Sequence, residues 1–178
     1  MPKLTGKKIA ILVDNYFEEV EMTEPREAME AEGAVVELIA ADPENGKVQG
    51  LNHVDKGNLF EIDKTLEEAD ITDYDALIVP GGAINSDQLR SIDKAKEWVR
   101  IVVSKGKPLA IICHAPWILV STGLADGRRM TSFPTIKDDL TNAGADWLDE
   151  EVVIDGTIVS SRKPDDIPAF NKAILSLF

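Results

Sequence analysis

Cysteine is nearly absent from this chain of 178 residues, which has one, and histidine occurs only twice. A lone cysteine forms no internal disulfide, so the fold must be held by its core. Cys113, His114 and His53 do not have the spacing of a metal-ligand set, and neither a metal nor a cofactor is expected. Basic residues are scarce too: 19 Lys and Arg stand against 32 Asp and Glu, a formal net charge of −13. Affinity for DNA or RNA comes mostly from neutralising phosphates with such residues, so nucleic acid is not an expected partner. No apolar run approaches the roughly 18 residues that cross a bilayer, so no membrane is expected either. The segment from Met1 to Lys8 leads only into the short apolar run Ile9 to Val13, without a cleavage pattern, and the expected location is cytoplasmic. What the chain does have is enough length for one domain, residues 1–178, with a single substantial core. Its apolar residues come in bursts of about five, the length of buried strands.

Period and punctuation give the order of elements. Lys8 to Asp14 is a continuous β-branched and apolar run, as a strand covered on both faces requires. Met22 to Glu32 reads as a helix, with Thr23 as N-cap, Pro25 in the first turn and Gly33 as the stop. Val35 to Ala40 is a second strand, and this β-α-β opening places the chain in the α/β class. The stretch from Asp42 to Asp73 is polar and turn-rich, with a tight turn at Asn45-Gly46 and short strands near Val48 and Phe60. Beyond it come a strand at Ala76 to Val79, a helix at Ile92 to Lys105, and a strand at Leu109 to Ile112. A helix at Trp117 to Thr122 follows, then another at about Thr135 to Ala143. A hairpin turning at Asp155-Gly156 and a last helix capped near Asp165 complete the series.

The only cysteine stands where the buried strand ending at Ile112 turns toward a helix. Ligand sites in α/β sheets cluster at the carboxyl ends of strands. A side chain on a tight strand-to-helix turn is presented above the sheet, as in a nucleophile elbow. The position suits a reactive thiolate and equally a buried, inert thiol. His114 follows directly. Because no histidine lies downstream of it, the arrangement of papain-like proteases and of class I glutamine amidotransferases is excluded. Glu18, in Phe17-Glu18-Glu19-Val20-Glu21, would reach the thiol if the first strand and Leu109 to Ile112 were neighbours. From the chain alone, so many acids in a short stretch read as a solvated face. Pro80-Gly81-Gly82 would bring unhindered backbone N–H groups to the same edge, suited to an oxyanion hole. His53 reads as a surface-loop residue. Asp14, Asp75 and Lys163-Pro164-Asp165-Asp166 read as strand-end and cap residues.

Taken together, five segments resemble the PfpI-type intracellular cysteine protease family, within the superfamily of the Parkinsonism-associated protein deglycase and glyoxalase III. They are Phe17-Glu18-Glu19-Val20-Glu21, Asp73 to Leu77 with Pro80-Gly81-Gly82, Gly106-Lys107-Pro108, Ile112-Cys113-His114-Ala115-Pro116, and Ser161-Arg162-Lys163-Pro164-Asp165-Asp166. The resemblance implies a flavodoxin-like three-layer sandwich with a mostly parallel sheet, as in the class I glutamine amidotransferase-like fold. It implies Cys113 as nucleophile, His114 as its neighbour, Glu18 as the glutamate hydrogen-bonded to the nucleophile, and oxyanion donors around Gly81, Gly82 and His114. It also implies a homodimer or hexamer in which an acid from a neighbouring subunit orients the histidine. The nearest acid in this sequence is Asp87.

Two departures bear on substrate. Asp87 is one methylene shorter than the family's usual glutamate, and Ala115 replaces its usual glycine, where a methyl group beside the nucleophile would narrow the pocket. The expectation is a stress-related cysteine hydrolase that acts on glycated or aldehyde adducts in preference to peptides. The alternative is a redox-sensing or chaperone-like protein that uses an oxidisable Cys113.

Overall fold

The computed structural model describes residues 2–178. Its strands are β1 (Lys8–Val13), β2 (Phe17–Glu18), β3 (Val35–Ala40), β4 (Lys47–Asn52), β5 (Asp55–Glu61), β6 (Lys64–Thr65) and β7 (Ala76–Val79). Then come β8 (Leu109–Ile112), β9 (Arg129–Met130), β10 (Asp146–Trp147), β11 (Val152–Asp155) and β12 (Ile158–Ser161). The helices are α1 (Glu19–Ala31), α2 (Ala83–Ser91), α3 (Asp93–Ser104), α4 (Trp117–Thr122), α5 (Lys137–Asn142) and α6 (Ile167–Ser176). Seven strands form one sheet in the order β11-β12-β8-β7-β1-β3-β6. Each neighbouring pair runs parallel except β11 with β12.

The alternation along β1 divides the core. Ile9, Ile11 and Val13 pack with Met22 and Met29 of α1 and Phe170 and Ile174 of α6, whereas Ala10 and Leu12 pack with α2, α3, α4 and α5 through Leu89, Trp98, Leu119 and Leu140. A strand buried on both faces needs apolar residues at every position, which is why β1, β7 and β8 read as continuous runs. Each large side chain so buried contributes about 1.5–3 kcal/mol. The result is the flavodoxin-like three-layer sandwich, with its parallel strands ending at one edge.

Three elements differ from the sequence reading. The first helix begins at Glu19 rather than Met22, so Pro25 lies in its second turn and Glu21 in its first. Pro25 removes only the bond its N–H would give to Glu21, and the helix continues through it. Second, a separate helix, α2, precedes α3, broken from it by the extended Ile92. Its inward face carries Asn85 and Ser86, both buried, so it shows no apolar period. Third, β1 and β8 are not neighbours, because β7 lies between them. The Asn45-Gly46 turn is present, with both residues at positive φ, and the longer hairpin β4–β5 turns at His53-Val54.

Candidate active site

The site is built on the turn that leaves β8. Cys113 has φ 65°, a left-handed backbone conformation that costs a non-glycine residue about 1–3 kcal/mol. Neighbouring strands hold it there. The Cys113 N–H donates to the Ser161 carbonyl of β12 at 3.0 Å, and the Phe133 N–H donates to the Cys113 carbonyl at 2.8 Å. The side chain, 6% exposed, reaches the floor of a cleft of about 750 Å³. Apolar walls from Leu51, Val54, Ile84, Phe133 and Pro164 surround Cys113, His114, Glu18, Glu21 and Lys163 in this cleft.

The loop after β7 supplies the other wall. A Cβ on Gly81 would stand 2.6 Å from the Cβ of Cys113, 2.6 Å from Glu21 Oε2 and 2.7 Å from the Ile112 carbonyl oxygen. Only glycine fits there. Gly82 has φ 87°, and a Cβ on it would meet the backbone of Glu18 and Tyr16 at 2.8 Å. Asn85, buried in α2, fixes this loop. Its Nδ2 donates to the carbonyls of Pro80 and Gly81 at 3.0 and 2.9 Å, and its Oδ1 accepts from the Asp14 N–H at 2.6 Å.

The acid beside the thiol is Glu21. It is fully buried in the first turn of α1, accepts from the Gly81 N–H at 2.7 Å through Oε2, and stands beside Cys113 across Gly81, while its Oε1 has no hydrogen-bond partner. Burial, reinforced by the charge of Glu18, pushes its carboxyl up to about 8, against the Gly81 hydrogen bond. Glu18, which the resemblance placed against the thiol, turns elsewhere. Its carboxylate accepts from the His53 N–H at 3.2 and 3.1 Å and so ties the β4–β5 turn to the cleft wall. Glu21 lies in the first turn of α1, whereas Glu18 precedes the helix in the extended β2, so the alignment of i and i+3 on one helix face does not hold and the two side chains part.

Burial pushes the Cys113 thiol up, and a charged Glu21 adds to the rise, whereas hydrogen bonds from the Gly82 and His114 backbone oppose it. The two acids are coupled, so protonating Glu21 removes one of the causes that hold the thiol neutral. With Glu21 protonated at neutral pH, the group that can take the Sγ proton is the imidazole of His114, and the thiolate then faces a neutral acid.

His114 Nδ1 lies 3.1 Å from Cys113 Sγ. The ring is stacked on Phe133 with centroids 4.8 Å apart and meets the edge of Trp117 at 5.2 Å. Burial holds this imidazole below the usual histidine range, so at neutral pH it is an uncharged base facing the sulfur.

The remaining expected residues divide. The Gly82 and His114 N–H groups point toward the sulfur, whereas the Gly81 N–H is occupied by Glu21 and is not free for an oxyanion. Asp87 is exposed on α2 and does not line the cleft. Ala115 is buried in the core on the α2–α5 face and is not part of the cleft lining, so its methyl group does not narrow the pocket. Glu21 and Asn85 were missed. The signal available for Glu21 was its place three residues after Glu18, on a helix that begins earlier than its proline suggests.

A strained cysteine, a facing imidazole and a buried carboxyl at a sheet edge form a recognisable set, and the pattern of the DJ-1/PfpI family matches residues 7–177. The chain belongs to this family. It is 40% identical over 170 residues to "Deglycase PfpI" of Pyrococcus furiosus, covering 96% of this chain and 98% of that one. It is 40% identical over 177 residues to "General stress protein 18" of Bacillus subtilis, covering 97% and 98%. Among solved structures, a two-domain protein of Anabaena variabilis with DJ-1/ThiJ/PfpI-like and ferritin-like domains superposes with TM-score 0.87 at 34% identity, over 96% of this chain. This chain spans 47% of that protein. Schizosaccharomyces pombe DJ-1 has the same fold, with TM-score 0.87 at 18% identity. Membership in the family brings with it a cysteine-dependent enzymatic role. Among the described residues no helix is long and apolar enough to cross a membrane.

Proposed function

We propose that this DJ-1/PfpI-family chain is a stress-related hydrolase of small aldehyde adducts, such as 2-oxoaldehydes and the adducts they form on amines, with Cys113 as nucleophile. The observation that carries the reading is the position of Sγ between two proton carriers, His114 Nδ1 at 3.1 Å and the buried carboxyl of Glu21. Thiolate addition to an aldehyde carbon forms the S–C bond and moves the carbonyl electron pair onto oxygen, where the Gly82 and His114 N–H groups lie in reach. For a 2-oxoaldehyde, the resulting hemithioacetal loses its C1 proton to a neighbouring base and regains a proton at C2. This leaves a 2-hydroxy thioester. Water then cleaves the thioester, releasing the hydroxy acid and restoring the thiol, with no external oxidant or reductant. Glu21 and His114 exchange the protons at each stage.

Peptides are the second class of substrate in this reading. Expelling an amine requires a well-oriented acid at the leaving nitrogen, and of the titratable groups lining the cleft (Glu18, Glu21, His53, His114, Lys163 and Asp165) only Glu21 and His114 stand against Cys113. The burial that keeps Cys113 protonated lowers its thiolate fraction and with it the rate of adventitious oxidation, so the redox-sensing alternative gains no separate support. A cytoplasmic location and self-association belong to the same reading. Val54 and Ile84, 90% and 48% exposed, form apolar rim at the cleft mouth that a second copy would cover. Asp87 enters only through such an interface.

The test is consumption of methylglyoxal by wild type and Cys113→Ala, with lactate followed as product. Loss of lactate formation in the variant is the expected result. Unchanged consumption in Cys113→Ala would remove the proposal.

A further inference from the structure

Resting on the reading of Cys113 as the nucleophile, we propose that Asn85 is a positioning residue whose side-chain amide sets the direction of the two backbone N–H groups that face the buried acid and the sulfur. A trans peptide is planar, so its C=O and its N–H point in opposite directions. The Pro80 carbonyl and the Gly81 N–H share one such plane, and the Gly81 carbonyl and the Gly82 N–H share the next. Asn85 Nδ2 donates to both carbonyls, at 3.0 and 2.9 Å. On the opposite side, the Gly81 N–H donates to Glu21 Oε2 at 2.7 Å, and the Gly82 N–H points toward Cys113 Sγ. One amide therefore holds both planes from behind, with the Glu18 N–H as a second donor to the Gly81 carbonyl at 3.2 Å.

The roles in this set are fixed by the partners. Asn85 Oδ1 accepts from the Asp14 backbone N–H at 2.6 Å. All three partners of the amide are backbone groups, one N–H and two carbonyls, none of which can exchange donor for acceptor, so the amide has a single orientation. Acids are favoured in the first turn of a helix, but at this position of α2 a carboxylate would face two carbonyl oxygens, and the first turn contains no acid. The loop needs such a hold. Gly81 and Gly82 are consecutive glycines, the second at φ 87°, and a peptide plane between glycines turns over at low steric cost. Glu21 depends on the outcome, because the Gly81 N–H is bonded to its Oε2 while its Oε1 has no partner.

The experiment compares wild type with Asn85→Leu, which is close in shape and excludes water from the place of the amide, and Asn85→Ala, which leaves room for a water to replace it. The first readout is the pH midpoint of iodoacetamide alkylation of Cys113. The Gly82 N–H favours the thiolate, so the midpoint is expected to move to higher pH in Asn85→Leu and by less in Asn85→Ala. The second is methylglyoxal turnover, where Asn85→Leu is expected to lower kcat roughly 10- to 100-fold with KM nearly unchanged, approaching the loss of one oxyanion donor. The third uses wild type alone, labelled with nitrogen-15 at glycine and asparagine, and slow hydrogen exchange is expected at the Gly81 N–H and at the Asn85 side-chain amide. A folded Asn85→Leu protein with the wild-type midpoint would overturn the proposal. Rapid exchange at either wild-type group would overturn it even if neither variant folds. If wild type proves to have no turnover, the hydrolase reading fails, while the midpoint and the exchange still decide the role of Asn85.

Discussion

The cleft over Cys113 and the one beside it, at the ends of β1 and β3, share a sheet edge and are of similar size, about 750 and 620 Å³. Each contains a buried carboxyl. In the second cleft it is Asp14, 5% exposed, raised by burial but steadied by hydrogen bonds from the Asn15 and Asp42 backbone. Around it stand Asp42, Glu44, Lys47 and Lys56, a charged lining with no thiol. In the first, Glu21 is fully buried, raised to about 8, and set against a thiol on a strained turn. The comparison separates two properties. A position at the carboxyl edge of the sheet gives a concave place with backbone donors. Reactivity comes from a thiol set against groups that carry its proton, the His114 imidazole and the Glu21 carboxyl, and only the first cleft has them.

The change that should break this contrast most severely is Gly81→Ala. The added methyl collides with the Cys113 and Glu21 side chains and with the Ile112 backbone, and the last of these cannot yield. The expected cost is about 1–3 kcal/mol of stability, read as a lowered melting temperature, together with loss of turnover. Unaltered melting and turnover would show that the loop after β7 does not pack as described. Next in size is the pH dependence of stability. Glu21 keeps its proton in the folded chain up to about 8, whereas its ordinary value is 4.5. Between those values the folded state binds more protons than the unfolded state, so stability falls as pH rises through that window. Below about 4.5 both states are protonated and the contribution is complete. Glu21→Gln should flatten this decline in urea denaturation measured from pH 4 to 9, and an unchanged slope would mean that Glu21 is not the buried acid.

The smallest effects sharpen the contrast from the other side. Asp14→Asn, in the second cleft, should leave the alkylation rate of Cys113 within about twofold, as for a site with no shared partner. Asp87→Asn should do the same in the single chain, where Asp87 is exposed and outside the cleft lining. A large loss in Asp87→Asn, accompanied by oligomers in sedimentation, would instead place a partner's acid at the imidazole.

The strands and the elbow were legible because burial on both faces writes itself as an uninterrupted apolar run, and Cys113 follows one of these runs directly. The glycines were legible as a turn, although not as the one residue type that clears both Cys113 and Glu21. α2 was not legible. Its buried side chains include Asn85 and Ser86, which face the loop after β7 and the sheet edge instead of an apolar core. Glu21 was hidden for a different reason. Pro25 marked the first turn of a later helix, which left Glu21 outside it among acids that resembled a solvated face. Only three-dimensional packing distinguishes a carboxylate that meets water, such as that of Glu24, from one that meets a thiol. Glu18 and Glu21 share one segment, and the resemblance could not tell which of them meets the thiol, because the segment changes between them from extended β2 to helix.

The central claim is that the proton of Cys113 is coupled to Glu21 and not to Glu18. The most direct measurement is the pH dependence of iodoacetamide alkylation of Cys113 in wild type, Glu21→Gln and Glu18→Gln. Removing the Glu21 charge removes one of the causes that raise the thiol, so the midpoint in Glu21→Gln should move to lower pH, while that in Glu18→Gln stays near wild type. A midpoint that follows Glu18 and ignores Glu21, or that moves with neither, would contradict the account.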